Sequence, residues 1–451
     1  MRDFARSNHP GVQAQLDRLS ALALPQGRIG LDAIARLLER LGNPQLTMPP
    51  VLHVAGTNGK GSTTAYLRAI LERAGYRVHA TTSPHLVRYN ERIRLAGQLI
   101  ADAALASLLC EVLDASEDLR CSFFEVTIAA SFLAFSRHPG DVCVVEVGLG
   151  GRLDATNVLA APLVCCVASL GIDHESFLLT PEAGAPDVPM ARIAWEKAGI
   201  AKRGTPLVTQ NYEADAAKSV IATAAQQAAP LLMRGRDWWA EIGTGIAYRD
   251  SAGTLDLPLP GLPGAHQADN AALAVAVLRH QTRLPISAEA FAAGIRAARW
   301  PARLELLGQG PLTAGASAID QVWLDGGHNP DAARVVAQYF TADLKRAGPI
   351  DVIIGMLANK DAAEFLRLLG PVCRSLIAVP ISGHDCHTDE SLRDWARQAG
   401  IPQVSAAPDV ATALASLNAS CGLESSARRV LITGSLYLAG EVLRGNAELP
   451  D

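Results

Sequence analysis

The sequence predicts an α/β protein in two parts: a mostly parallel, P-loop-containing sheet domain at residues 1–298 and a smaller Rossmann-like α/β domain at 299–451. Three observations carry this. First, Val51-Leu52-His53-Val54-Ala55 reads as a buried strand. A glycine-rich turn, a helix over about residues 62–74 and a further strand, Tyr76-Arg77-Val78-His79-Ala80, follow it. That order is the βαβ unit of a parallel sheet. Second, residues 142–147 and 163–167 are continuously apolar apart from Glu146, as strands covered on both faces are. Third, a new α/β cycle begins after Trp300, with strands near 322–325, 351–355, 375–379 and 430–434.

The remaining elements follow the same logic. An apolar-periodic helix over residues 31–41 stops at Gly42-Asn43-Pro44, a C-terminal signal. An alanine-rich helix runs over 269–280, preceded by a Pro- and Gly-rich stretch at 254–264 that reads as irregular. At 451 residues the chain is too long for one ordinary core. Apolar residues make up 49% and charged residues 19%, the composition of a folded soluble protein. The net charge of −5, with no block of Lys and Arg, excludes a surface that tracks a nucleic-acid backbone. No run of about 18 apolar residues is present to span a membrane. Eight cysteines lack metal or disulfide spacing, and Met1-Arg2-Asp3-Phe4-Ala5-Arg6 lacks the apolar stretch of a secretory signal. A cytoplasmic setting is the expectation.

Gly56-Thr57-Asn58-Gly59-Lys60-Gly61-Ser62 lies between a strand and a helix. Glycines there let backbone N–H groups face phosphate oxygens, the helix N-terminus adds its dipole, and Lys60 neutralises the terminal phosphates. Val54 stands where the usual pattern has its first glycine. Glu146 ends an apolar strand and precedes Val147-Gly148-Leu149-Gly150-Gly151-Arg152-Leu153-Asp154. Open α/β sheets bind ligands at that strand end, and three glycines imply close backbone approach. Asp173-His174 follows the next apolar strand and points to the same edge. A carboxylate oxygen suits Mg²⁺; an imidazole is a less expected ligand for it.

With these residues in place the chain resembles the bacterial dihydrofolate synthase/folylpolyglutamate synthase family of the Mur ligase superfamily, from about Gly30 to Val442. The loop at 56–62 and the stretch from Val144 to Asn157 are the most specific; Thr82-Ser83-Pro84-His85-Leu86 and Asn90-Glu91-Arg92-Ile93 add to them. The resemblance implies an ATP-dependent ligase that adds L-glutamate to dihydropteroate and to reduced folates through an acyl phosphate. It implies nucleotide binding by Thr57, Asn58, Gly59, Lys60, Gly61 and Ser62, with Lys60 catalytic, and Mg²⁺ held by Ser83, Glu146 and His174. Lys197, in Glu196-Lys197-Ala198-Gly199-Ile200, is implied to be carbamylated and to fix a second Mg²⁺; a monovalent cation belongs to the same set.

Further along, Asn270 is implied to read adenine, and Arg303, in Pro301-Ala302-Arg303-Leu304-Glu305, to reach the phosphates; Ala302 stands where the family has glycine. Asp325 and His328, in Asp325-Gly326-Gly327-His328-Asn329-Pro330, are implied to contact nucleotide or glutamate. For the pterin it suggests Arg28, Ile29 and Gly30, Phe123, Phe124 and Glu125, and Asp154 and Ala155. An aromatic face stacks a flat ring, and a carboxylate pairs with its aminopyrimidine edge. Residues 181–189 are an inserted loop by comparison with the family pattern. Small-molecule substrates and a monomer are expected. The rivals are another Mur-type amino-acid ligase and a P-loop ATPase that forms no bond.

Overall fold

The apolar run Val51–Ala55 forms β1, a strand with no exposed residue, at the centre of an eight-stranded sheet. The computed structural model describes residues 6–22, 30–420 and 428–450. Two units separate within the chain: Met1–Gly261 with Gln267–Arg299, and Leu262–His266 with Trp300–Pro450.

In the first unit the strands after β1 are β2 (Val78–Thr81), β3 (Ile93–Leu95), β4 (Gln98–Leu99), β5 (Val142–Glu146), β6 (Val164–Val167), β7 (Leu207–Thr209) and β8 (Leu231–Met233). Their order is β4-β3-β2-β5-β1-β6-β7-β8. Strands β2, β5, β1, β6, β7 and β8 pair in parallel, while β3 pairs antiparallel with β2 on one side and with β4 on the other. The α/β expectation therefore holds. Both faces of this sheet are covered, which explains its unbroken apolar strands. On one face Cys143 and Val145 pack with Phe132, Phe135 and Ile128 of the helix Phe123–Arg137. Further along the same face, Ala55, Cys165 and Val167 pack with Ala194, Ala198 and Val220; on the other face Leu52, Val54 and Val144 are equally buried.

The chain adds a three-stranded antiparallel sheet of β9 (Trp238–Ile242), β10 (Ile246–Asp250) and β11 (Gly253–Leu257). This corrects the expectation that 254–264 is irregular throughout. In β10 burial alternates residue by residue, so one face of this small sheet is covered and the other open. The helix Pro10–Ser20, capped by His9 and buried through Val12, Leu16 and Leu19, was not anticipated.

The second unit carries β12 (Glu305–Leu306), β13 (Gln321–Leu324), β14 (Ile350–Ile354), β15 (Cys373–Ala378), β16 (Gln403–Ala406) and β17 (Arg429–Thr433). Their order is β12-β13-β17-β14-β15-β16, all parallel except β12. Val352, Ile354, Leu376 and Leu431 form its core with Val336, Phe340, Phe365 and Leu366 of the covering helices. Among the described residues no helix is long and apolar enough to cross a membrane.

The bend before β12 places two side-chain-bearing residues in the left-handed region, Ala302 at φ 55° and Leu304 at φ 46°. A residue with a Cβ is strained there, and glycine is not. Ala302→Gly is therefore expected to stabilise the protein by roughly 0.5–1 kcal/mol. Urea unfolding measures this, and a loss of stability would refute it.

Candidate active site

Strand register acts as a ruler for the site. Val54 lies opposite both Glu146 of β5 and Cys166 of β6, and Thr81 of β2 lies opposite Val145. The chain leaves β1, β2, β5 and β6 at one level, so the segments beginning at Gly56, Thr82, Val147 and Ala168 share the C-terminal edge of the sheet. This edge is where doubly wound sheets bind ligands.

The loop after β1 turns through Gly59 at φ 81°, which caps the helix Lys60–Arg73. Glycine suits that positive φ, and a Cβ at 59 would also lie 2.5 Å from Asn270 Oδ1. The structure thus brings Asn270 onto the loop. Lys60 Nζ donates to the carbonyls of Gly56 (2.9 Å) and Thr57 (3.2 Å), so the ammonium lies across the loop's own backbone. Thr57 fastens the loop to the segment after β6. Its N–H donates to Ser169 O (2.8 Å), and its hydroxyl donates to Gly171 O (2.8 Å) and accepts from Gly171 N (3.1 Å). Ser169 Oγ donates to Asn58 O at 3.0 Å. The Thr57 hydroxyl is thereby engaged within the protein. Gly61 and Ser62 are buried in the first turn of the helix.

Glu146 is buried at the end of β5. The loop after it is pressed against the helix Pro189–Ala198. A Cβ on Gly151 would sit 2.7 Å from Glu196 O and 3.0 Å from Lys197 O, and Arg152 N donates to Glu196 O at 2.8 Å. Lys197 on that helix is only 4% exposed. Burial and, next, the charge of Lys60 push its ammonium down to about 7, against the pull of Asp173, Asp154 and Glu196. These influences put the phosphate-loop lysine, the Asp173-His174 segment and Lys197 in one electrostatic neighbourhood. His174, in the left-handed region at φ 54°, caps the helix Glu175–Leu178, and its N–H is taken by Asp173 Oδ1 at 2.7 Å.

Ser83 precedes Pro84 through a cis bond just after β2. The loop behind it is fixed by Glu91, which accepts from the N–H groups of Leu86, Val87 and Arg88. Buried Arg92 donates to His85 Nδ1 at 2.8 Å and lies 5.4 Å from the Phe123 ring centre. Phe123 and Phe124 are partly buried against the first core, and the Phe124 ring covers Gly148, 2.2 Å from where its Cβ would stand. Both carboxylates suggested for the pterin accept hydrogen bonds from local structure. Glu125 closes a capping box with Ser122, accepting from its N–H (2.8 Å) and hydroxyl (2.7 Å). Asp154 is buried; its Oδ2 accepts from Leu149 N (2.8 Å) and its Oδ1 from Thr156 N (3.0 Å) and Oγ1 (2.5 Å). Burial pushes the Asp154 carboxyl upward, and these donors hold it back. Ala155 is buried beside it, Gly30 is exposed, and Arg28 and Ile29 lie outside the described residues.

In the second unit Asp325, Arg303 and His328 occupy one corner. Asp325 Oδ2 accepts from Leu304 N (2.9 Å) and Oδ1 from Gly327 N (2.7 Å), so this buried carboxylate staples the Ala302–Leu304 bend to the end of β13. Burial pushes it up, and Arg303 opposes that. Arg303 Nη1 donates to Ala302 O at 2.9 Å, and His328 Nδ1 donates to Gly326 O at 3.0 Å.

Sequence reasoning did not single out Asp173 as a charge acting on Lys197, Arg152 as the link to the lysine's helix, or Gln210 beside Asn270. For Arg152 the signal was present: one arginine follows three glycines.

Comparison with known proteins accords with this arrangement. The family model described as "Dihydrofolate synthetase, C-terminal domain" matches residues 315–445. Folylpolyglutamate synthase of Lacticaseibacillus casei is 34% identical over 442 residues, 91% of this chain and 92% of that protein. Escherichia coli FolC in complex with DHPP and ADP superposes with a TM-score of 0.84 at 32% identity, covering 96% of this chain and 97% of that one. The bifunctional folylpolyglutamate synthase/dihydrofolate synthase of Yersinia pestis, complexed with AMPPNP and Mn, gives a TM-score of 0.82 at 30% identity, over 96% of this chain and 97% of that one. The glycine-rich loops, the buried lysine and these whole-length likenesses agree, and the chain belongs to the dihydrofolate synthase/folylpolyglutamate synthase family of ATP-dependent ligases.

Proposed function

We propose that this chain uses ATP to join the amino group of L-glutamate to the carboxylate of dihydropteroate, and to that of reduced folates, through an acyl phosphate. The observation that carries the reading is the convergence of the Lys60 loop, the Glu146 strand end and buried Lys197 on one sheet edge.

The residues fit a divalent metal. Glu146 and Ser83 are oxygen donors of the kind Mg²⁺ takes, with His174 as third ligand. Lys197 fits carbamylation: an amine whose pKa burial brings down to about 7 presents, at neutral pH and above, the free base that CO₂ needs. The added carboxylate turns a second cation beside Lys60 into an anion able to hold a second Mg²⁺. When bound, the metal ions supply charge neutralisation to the transferring phosphoryl group.

The protein's own groups orient and balance charge. The loop N–H groups and Lys60 hold the triphosphate, while Asn270 reads the adenine. The substrate carboxylate oxygen bonds to the γ-phosphorus, and ADP leaves. The glutamate amine then adds to the acyl carbon, loses its proton, and phosphate departs as the amide forms. Phe123 and Phe124 offer faces for the pterin, and Gly30 with Arg28 and Ile29 is assigned to the same substrate. Glu125 and Asp154 serve by holding the helix start and the glycine loop in shape, and Ala155 lies where Asp154 fixes the chain. Arg303, Asp325 and His328 of the second unit are assigned to phosphate and glutamate.

ADP release is expected only when dihydropteroate (or a tetrahydrofolate) and L-glutamate are both supplied; release indifferent to both would overturn the reading. Lys60→Ala is expected to cut turnover at least about a hundredfold. Normal turnover in that variant would remove the loop from the mechanism. For Lys197, incubation with ¹³C-bicarbonate is expected to give a carbamate carbon signal that Lys197→Met lacks. Activity should fall in CO₂-depleted buffer and return with bicarbonate. An identical signal in the variant would dismiss the modification.

A further inference from the structure

The edge of the first unit's sheet holds a buried amide that the reaction scheme leaves unused. Gln210 follows β7 directly and is 8% exposed. Its Nε2 donates to the backbone carbonyl of Asp269 at 2.9 Å, and its Oε1 accepts from Arg234 Nη1 at 3.1 Å. The same Arg234 Nη1 pairs with Asp269 Oδ1 at 2.6 Å, while Nη2 donates to Ala240 O at 2.8 Å. The guanidinium lies 5.7 Å from the centre of the Trp238 ring. Residue 269 is thus gripped at its carbonyl by Gln210 and at its carboxylate by Arg234. The next residue is Asn270, whose Nδ2 donates to Gln267 Oε1 at 3.3 Å and whose Oδ1 faces the phosphate loop at Gly59.

An amide recognises adenine by orientation. Its oxygen accepts from the exocyclic amine and its nitrogen donates to a ring nitrogen, so a rotated or displaced amide loses the distinction between an amino and a carbonyl purine. Asn270 sits on the first turns of the helix Ala265–Arg279, where main-chain position sets side-chain position. The grip on residue 269 is adjacent to the reader, and it is made by groups from the ends of β7 and β8 rather than by the helix itself. We propose that Gln210 is a positioning residue for nucleobase selection: with Arg234 it fixes residue 269 so that the amide of Asn270 is presented to the amino group of an adenine nucleotide. This rests on the reading of Asn270 as the adenine contact. Arg234 shares the grip, but its pair with Asp269 is partly exposed, at 21% and 44%, and is correspondingly screened. The buried bond from Gln210 is therefore the determining one.

The test compares ATP with inosine triphosphate, which carries a carbonyl where adenine carries the amine. The ratio of kcat/KM values is measured in the full-length protein with dihydropteroate and glutamate saturating, for the parent, Asn270→Ala, Gln210→Leu and Gln210→Glu. Gln210→Glu keeps an acceptor for Arg234 and loses the donor to Asp269 O, so it isolates the bond in question. Thermal unfolding of each variant separates misfolding from misplacement. Both Gln210 variants are expected to lower the ATP preference about tenfold or more, with kcat at saturating ATP within about threefold of the parent. An altered ratio in Gln210→Glu alone still supports the proposal if Gln210→Leu does not fold. A parental ratio in folded Gln210 variants, with the preference collapsed in Asn270→Ala, overturns the positioning role and leaves the adenine reading standing. A parental ratio in Asn270→Ala overturns that reading and the proposal with it.

Discussion

The site depends on an unfavourable burial. Lys197 is placed where water scarcely reaches, in the field of a second lysine, and its ammonium is pushed down to about 7 in consequence. Removing a cation from water costs several kcal/mol unless partners compensate. Here compensation comes from carboxylates on three segments: Asp173 after β6, Asp154 in the loop after β5, and Glu196 on the same helix. The unfolded lysine keeps its proton up to its ordinary value near 10.5, so between about 7 and there the unfolded state binds more protons. This group's contribution to stability therefore rises with pH across that window. A fold that tolerates such a group at neutral pH holds an amine ready to change its charge.

What places these charges together is the sheet. In a parallel sheet with register fixed at Val54, Glu146 and Cys166, the residues just past each strand arrive at one level whatever their separation in sequence. A buried polar relay reinforces that level from below. His53 Nε2 on β1 bonds Thr156 Oγ1 at 2.8 Å, Thr156 donates to Asp154, and Asp154 accepts from Leu149 N in the glycine loop. Burial and the charge of Lys202 push His53 down to about 3, so it is a neutral strut at any ordinary pH. The central strand and the glycine loop are thus joined by hydrogen bonds that run through a histidine held neutral.

Much of this was legible in the sequence because it is written in strong local signals. Largely apolar runs mark β1, β5 and β6, and glycines mark the loops at 56–61 and 148–151. Less legible was how a polar side chain divides its bonds. Glu125 reads equally as a ligand for an aminopyrimidine and as the third residue of a capping box, and only the backbone geometry at Ser122 shows that the box forms. Asp154 is similar: its spacing from Glu146 says nothing of the turn that sends its oxygens to Leu149 and Thr156. Strands β9–β11 were overlooked for a different reason. Glycine and proline near 258–264 are turn signals, and they masked the two-residue alternation of Ile246-Ala247-Tyr248-Arg249-Asp250 just before them.

The sequence marks residues 181–189 as an inserted loop just ahead of the helix that carries Lys197. The side chains around Trp195 tie the two together. Arg192 donates to Thr180 O at 2.7 Å and lies 3.4 Å from Glu182, so the start of the loop is tied to the helix that follows it. Arg152, from the glycine loop, pairs with Glu182 and with Glu196, each at 2.8 Å, and its guanidinium stacks 4.1 Å from the Trp195 ring centre. One arginine therefore binds the loop after β5, the inserted loop and the lysine's helix into a single packed unit. These pairs are largely shielded from solvent, so they hold position more firmly than surface pairs of the same length. The backbone contact at Gly151 sets the distance, and Arg152 prevents rotation about it.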